Sequence, residues 1–272
     1  MKEHNTPISP DSAVLTKPKM SKKKIATSIT LGVLSVLLAV IMMVFIVYVS
    51  SYSRADEDAL KIFEETQLTK NVSVEVDRSG NITVRPEGIT PTTAFIFYPG
   101  GKVENTAYIP LMQKCAESGI LCIIAKMPCN LAFLDTGAAK GIKKAHPEIT
   151  SWYIGGHSLG GVAASSYLKK HADEFDGLIL LGSYASVDLS ATDLKALTVR
   201  ATNDEVVSPA DHESHLNNLP AGYLETFIEG GCHAYFGMYG EQKGDGTPTI
   251  SPTEQIVMTS HVITSFISKN NG

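Results

Sequence analysis

The chain has 272 residues, 43% of them hydrophobic and 19% charged, with a formal net charge of −5. These fractions exclude an intrinsically disordered chain, and the negative balance excludes the basic footprint of a general nucleic-acid-binding protein. Four cysteines, Cys115, Cys122, Cys129 and Cys232, form no CxxC pair; they are too sparse for a disulfide scaffold and read as small buried apolar residues.

Residues 1–24 read as a basic tail, with Pro7, Pro10 and Pro18 breaking order over 1–20 and five lysines from Lys17 to Lys24. From Ile25 to Val49 there is no charged residue. About 25 residues at ~1.5 Å each make a helix of ~37 Å, enough to cross a ~30 Å hydrocarbon core with some tilt. The lysines lie before this run, and Arg54, Asp56, Glu57 and Asp58 lie after it. The positive-inside bias therefore predicts a single-pass membrane protein with a cytoplasmic N-terminus and an extracytoplasmic domain. A cleaved signal peptide would carry a shorter apolar core followed by an A-x-A-like site, so an uncleaved anchor over 25–49 is preferred.

Residues 50–69 read as a stalk, helical from Asp56 to Leu68, and 70–272 as the folded domain. Val72–Val76 and Ile82–Val84 flank Asp77-Arg78-Ser79-Gly80-Asn81, a hairpin signal. A strand-helix rhythm follows. Strands are expected at Ala94–Tyr98, Ile120–Lys126, Trp152–Ile154, Leu178–Leu181, Leu194–Ala201 and Tyr223–Ile228. Helices are expected at Tyr108–Glu117, Ala132–Ala145, Leu159–Lys170, Pro209–Asn217 and Thr253–Ser268. This alternation predicts an α/β fold: a mainly parallel twisted sheet with helices on both faces and the hairpin as an antiparallel edge. The dozen or so residues between the strands at 178–181 and 194–201 leave no room for a large cap over the site.

Gly156-His157-Ser158-Leu159-Gly160 lies between a strand and a helix. In a G-x-S-x-G turn the serine sits on a tight, strained bend, and the glycines let the chain pass close to its neighbours. The helix that follows aims its first N–H groups at developing negative charge. Ser158 is thus the candidate nucleophile. Its acid and base are sought later in the chain. Asp204 ends the strand Leu194–Ala201, at the carboxyl edge where open α/β sheets bind ligands. Glu205 is the fallback, and Asp188 and Asp193 lie before that strand.

His233 follows Gly230 and Gly231, which let a loop carry its imidazole over the serine. His212 and His215 read as exposed on a helix. Their H-E-x-H spacing is not the H-E-x-x-H of zinc peptidases, so no metal and no cofactor are expected. His157 is read as orienting the turn. The oxyanion donors are expected to be the N–H of Leu159 and one N–H of Pro99-Gly100-Gly101-Lys102, Gly101 first and Lys102 second. Tyr235, Phe236, Met238 and Tyr239 either form an apolar acyl surface or pack internally. Asp245, between glycines, is read as capping a turn in preference to touching substrate.

With these residues in place the chain resembles the α/β-hydrolase superfamily, and more narrowly the bacterial alpha/beta hydrolase fold-5 group related to dienelactone hydrolases and small esterases. The resembling stretches are Phe97–Val103, Lys126–Phe133, Gly155–Gly161, Gly230–Gly237 and Gly244–Pro248, within about residues 70–270. The resemblance implies this fold and the Ser158, Asp204 and His233 roles; it implies no substrate. The expected activity is ester hydrolysis through an acyl-enzyme. An acyltransferase with the same triad and a non-catalytic binding module remain the alternatives. The expected partners are a small-molecule or lipid-like ester and, through the N-terminal helix, the membrane.

Overall fold

The computed structural model describes residues 21–66 and 71–271. The tail expected over 1–20 and the end of the expected stalk at Leu68 lie outside the described residues. The chain divides into two compact units, Met1–Tyr48 and Val49–Gly272.

The first unit holds most of helix α1 (Lys22–Ser50), 29 residues without a buried side chain. Its most apolar window has a mean hydropathy of 2.9, so it is long and apolar enough to cross a membrane as an anchor or to serve as a signal sequence. Its hydroxyls do not make a polar face. Thr27, Thr30 and Ser35 each donate to the carbonyl one turn back, at 3.0, 3.0 and 2.9 Å.

The second unit opens with α2 (Glu57–Thr66). Two residues of the segment read as a stalk, Ala55 and Ala59, are buried in an apolar cluster with Ala107, Tyr108 and Met112. Eight strands follow: β1 (Val72–Val76), β2 (Ile82–Pro86), β3 (Thr93–Tyr98), β4 (Leu121–Ile124), β5 (Ser151–His157), β6 (Gly177–Leu181), β7 (Lys195–Ala201) and β8 (Leu224–Ile228). They form one sheet in the order β1-β2-β4-β3-β5-β6-β7-β8. β1 and β2 pair antiparallel, as do β2 and β4. From β4 through β8 every pairing is parallel. The hairpin is therefore the antiparallel edge that its turn residues foretell.

Helices cover both faces: α3 (Ile109–Ala116), α4 (Ala138–Ala145), α5 (Leu159–Leu168), α6 (Pro209–His215) and α7 (Pro252–Asn271). Along β3, Phe95 and Phe97 join a cluster with Ile109, Ile263 and Phe266, whereas Ile96 and Tyr98 join one with Trp152, Ile154 and Leu168. Burial on both sides explains why this strand reads as a continuous apolar run.

The helix expected over Ala132–Ala145 is split. A short 3-10 turn, Ala132–Leu134, precedes α4. The Tyr98 hydroxyl occupies the break, donating to the Thr136 carbonyl at 2.8 Å and accepting from the Ala139 N–H at 2.9 Å. A buried tyrosine thus satisfies the main chain that a continuous helix would have paired internally. Between β6 and β7 the chain makes bends and no helix, so no large cap overlies the sheet there.

Candidate active site

β5 runs to His157, and Ser158 begins the turn into α5 with φ 51° and ψ −126°. That conformation is costly for a residue with a Cβ, of the order of 1–3 kcal/mol, and persists only where surroundings fix it. Here the Ser158 N–H donates to the Leu181 carbonyl at 3.0 Å, and the Ser158 carbonyl accepts the Ser183 hydroxyl at 2.7 Å. Gly160 lies against the carbonyls of Tyr98 and Pro99, where a Cβ would have no room. Ser158 is partly exposed at the start of α5.

Asp204 follows β7. Its Oδ1 accepts the N–H groups of Val206 and Val207 at 2.9 and 3.0 Å. Its Oδ2 lies 2.8 Å from His233 Nδ1. Both side chains are 1% exposed. The carboxylate has no donor of its own when ionised, so the shared proton belongs on Nδ1 and the lone pair on Nε2. His233 Nε2 is buried with no hydrogen-bond partner. Gly182, at φ 46°, passes beside this pair; a Cβ there would stand 3.0 Å from His233 Nδ1 and 3.1 Å from Asp204 Oδ2.

The loop carrying His233 is fixed by Asp245. Its Oδ1 accepts from the N–H of His233 at 3.1 Å and of Gly246 at 2.9 Å, and its Oδ2 accepts from the Ala234 N–H at 2.8 Å. This is the turn-capping role expected of it, applied to the loop of His233 itself. Gln255 adds a second brace: its Oε1 accepts the Cys232 N–H at 3.0 Å, and its Nε2 donates to the Cys232 carbonyl at 2.8 Å.

His157, one residue before Ser158, stands with its ring centroid 4.4 Å from that of His233. Its Nδ1 lies 2.9 Å from the Tyr108 hydroxyl, which also accepts the Gly100 N–H at 3.0 Å. The Tyr108 hydroxyl thus links the Gly100 main chain to His157 Nδ1. Burial, and then the neighbouring His233, hold His157 well below the usual imidazole range, partly offset by the His233 main chain. His157 is therefore a neutral imidazole. Sequence reading gave it an orienting role but missed Tyr108, because the contact joins residues 49 apart.

The loop after β3 discriminates between its donors. The Gly100 N–H is bound to Tyr108, and the Lys102 N–H donates to the Asn130 carbonyl at 2.7 Å. Gly101 stands between them, and a Cβ on it would come within 2.9 Å of the Leu159 side chain. The structure thus brings Gly101 and Leu159 together and engages Lys102 elsewhere.

One open alternative is resolved and two readings change. Phe236, Met238 and Tyr239 are buried, and the Phe236 and Tyr239 rings pack 5.7 and 6.3 Å from His157, so this run is mostly packing behind the site. His212 is 2% exposed, with Nε2 2.8 Å from Glu225, because α6 lays it against β8. Cys129 is exposed, unlike the other three cysteines, in a left-handed turn at φ 54°. Among the described residues no group of three or more His, Cys, Asp or Glu side chains converges as metal ligands would.

The profile described as the alpha/beta hydrolase family matches residues 94–257, well over half of the chain. No curated protein sequence matches. Solved structures share the fold at low identity. A predicted CIB-like hydrolase from Thermoplasma acidophilum is 16% identical with a TM-score of 0.53, covering 71% of this chain and 98% of its own. TT1662 from Thermus thermophilus is 15% identical with a TM-score of 0.52, covering 73% and 98%. Est1E from Butyrivibrio proteoclasticus is 14% identical with a TM-score of 0.53, covering 74% and 98%. The sheet order, the strained turn at Ser158 and the matched profile agree: the chain belongs to the alpha/beta hydrolase family.

Proposed function

We propose that the protein is a membrane-anchored serine hydrolase that cleaves carboxylic esters through Ser158, His233 and Asp204. The observation that carries this reading is the buried 2.8 Å pair of His233 Nδ1 and Asp204, which leaves Nε2 without a hydrogen-bond partner on a ring 4.4 Å from that of His157, the residue before Ser158. Family membership supports a hydrolase.

In the proposed reaction Ser158 Oγ attacks the ester carbonyl as its proton passes to His233 Nε2. Asp204 fixes the imidazole tautomer and stabilises the imidazolium. The oxyanion accepts hydrogen bonds from the N–H groups of Leu159 and Gly101. Collapse expels the alcohol, which takes the proton from His233 and leaves an acyl-Ser158. Water then attacks with His233 again as base, and the carboxylic acid departs. Anchoring is supported by the length and hydropathy of α1, and the extracytoplasmic orientation by the lysines preceding it. A domain tethered in this way suits small or lipid-like esters.

The test is a p-nitrophenyl ester panel across acyl length. Turnover by the wild type that vanishes in Ser158→Ala is expected, and equal turnover by both refutes the reading. Protease added to intact cells should remove the domain; full protection would reverse the assigned orientation.

A further inference from the structure

The segment Ser51–Asp56 precedes the region matched by the family profile, yet it is hydrogen-bonded to the loop that follows β3. The Ser53 N–H donates to the Lys102 carbonyl at 2.7 Å, and the Ser53 carbonyl accepts the Glu104 N–H at 2.9 Å, making a parallel bridge between Ser53 and Val103. Lys102 Nζ donates to the Ser51 hydroxyl at 2.9 Å. Glu104 Oε2 accepts the Ala55 N–H at 3.2 Å. The Asp56 N–H donates to the Met238 carbonyl at 3.0 Å, and the Met238 N–H donates to the Ala107 carbonyl at 2.8 Å. Ala55 and Ala59 are buried against the same part of the domain.

Lys102 sits at φ 60°, a left-handed conformation that a non-glycine residue keeps only when held. It is held from two sides. Asn130, itself left-handed at φ 54°, takes its N–H, and Ser53 donates to its carbonyl. One peptide group before this clamp lies Gly101, the donor that the proposed reaction uses. Small displacements of a donor weaken oxyanion stabilisation steeply.

We propose that Ser51–Asp56 is a strap that positions the oxyanion loop, with Ser53 and Glu104 as positioning residues that act through Lys102 and Gly101. The inference rests on the serine-hydrolase reading above. The strap makes the chain leaving α1 a working part of the active site. Processing that removed residues up to Asp56 would leave the Ser158, His233 and Asp204 side chains in place and impair turnover.

The test uses the full-length protein in detergent. Active sites are counted by end-point titration with a fluorophosphonate, so that turnover is read per folded site. Ser53→Pro, which removes the N–H bound to Lys102, is expected to lower kcat per titrated site ~10-fold or more, with KM changed less than about twofold, since transition-state stabilisation is what fails. Glu104→Ala, which frees the Ala55 N–H, should lower it about threefold. Val72→Ala, a buried change on the edge strand β1, should lower the thermal midpoint while kcat per site stays at the wild-type value. Wild-type kcat per titrated site in Ser53→Pro overturns the strap. If Ser53→Pro yields no folded protein, an unchanged kcat in Glu104→Ala overturns it. A wild type that cannot be titrated refutes the serine-hydrolase reading, and the strap falls with it.

Discussion

The two halves of the candidate site are held by different physics. The half around His233 is organised by carboxylates. Asp204 and Asp245 between them accept from five main-chain N–H groups, and Asp204 also meets His233 Nδ1. The half around Ser158 is organised by close backbone approach and a neutral relay from the Gly100 N–H through Tyr108 to His157. The two meet where the His157 and His233 rings stand 4.4 Å apart. Two buried imidazoles so close cannot both carry charge cheaply. The sequence assigns one a carboxylate and the other a phenol, so in the proposed reaction the proton has one place to go.

The contrast can be broken from either side. Asp204→Asn should cost the most activity, roughly 10³–10⁴-fold in kcat, because the amide favours the wrong His233 tautomer while the fold survives. Circular dichroism together with ester turnover checks both halves of that statement. Tyr108→Phe should show the opposite balance. It leaves the buried Gly100 N–H and His157 Nδ1 without their partner and should lower unfolding free energy by about 2 kcal/mol, with a smaller loss of kcat, about tenfold. Urea unfolding gives the first number. A Tyr108→Phe variant as inactive as Asp204→Asn would erase the distinction between the two halves.

The smallest effect is in the pH dependence of stability. The folded His157 has a pKa below its ordinary value of 6.5. The unfolded chain therefore binds a proton at this residue that the folded protein does not, once the pH falls below about 6.5. Stability must then drop with falling pH, by up to ~1.4 kcal/mol per pH unit from this residue, until the folded pKa is reached. Above about pH 6.5 the contribution is flat. His157→Gln should show a shallower decline between pH 6.5 and 5 in urea titrations than the wild type.

What was legible in the sequence was local. The hairpin announces itself in Asp77–Asn81, the strand-turn-helix around Ser158 in five residues, and the position of Asp204 in its place behind an apolar strand. Each depends on neighbours a few residues away. What was not legible depends on which elements adjoin in space. No periodicity reveals that Tyr98 divides the helix expected over Ala132–Ala145, or that α6 buries His212 against Glu225. The aromatic run Tyr235–Tyr239 suits an acyl surface or a core equally well, and only the position of α3 and β5 decides for packing. The docking of Ser53 on Lys102 was hidden for the same reason, since residues 50–69 read as a stalk.

The central claim is that Ser158 is the nucleophile. The most direct measurement is fluorophosphonate labelling of the full-length protein, followed by mass spectrometric mapping of the adduct. The account predicts a single adduct on Ser158 that is lost in Ser158→Ala and slowed strongly in His233→Ala. An adduct on another residue, or equal labelling of Ser158→Ala, would contradict it.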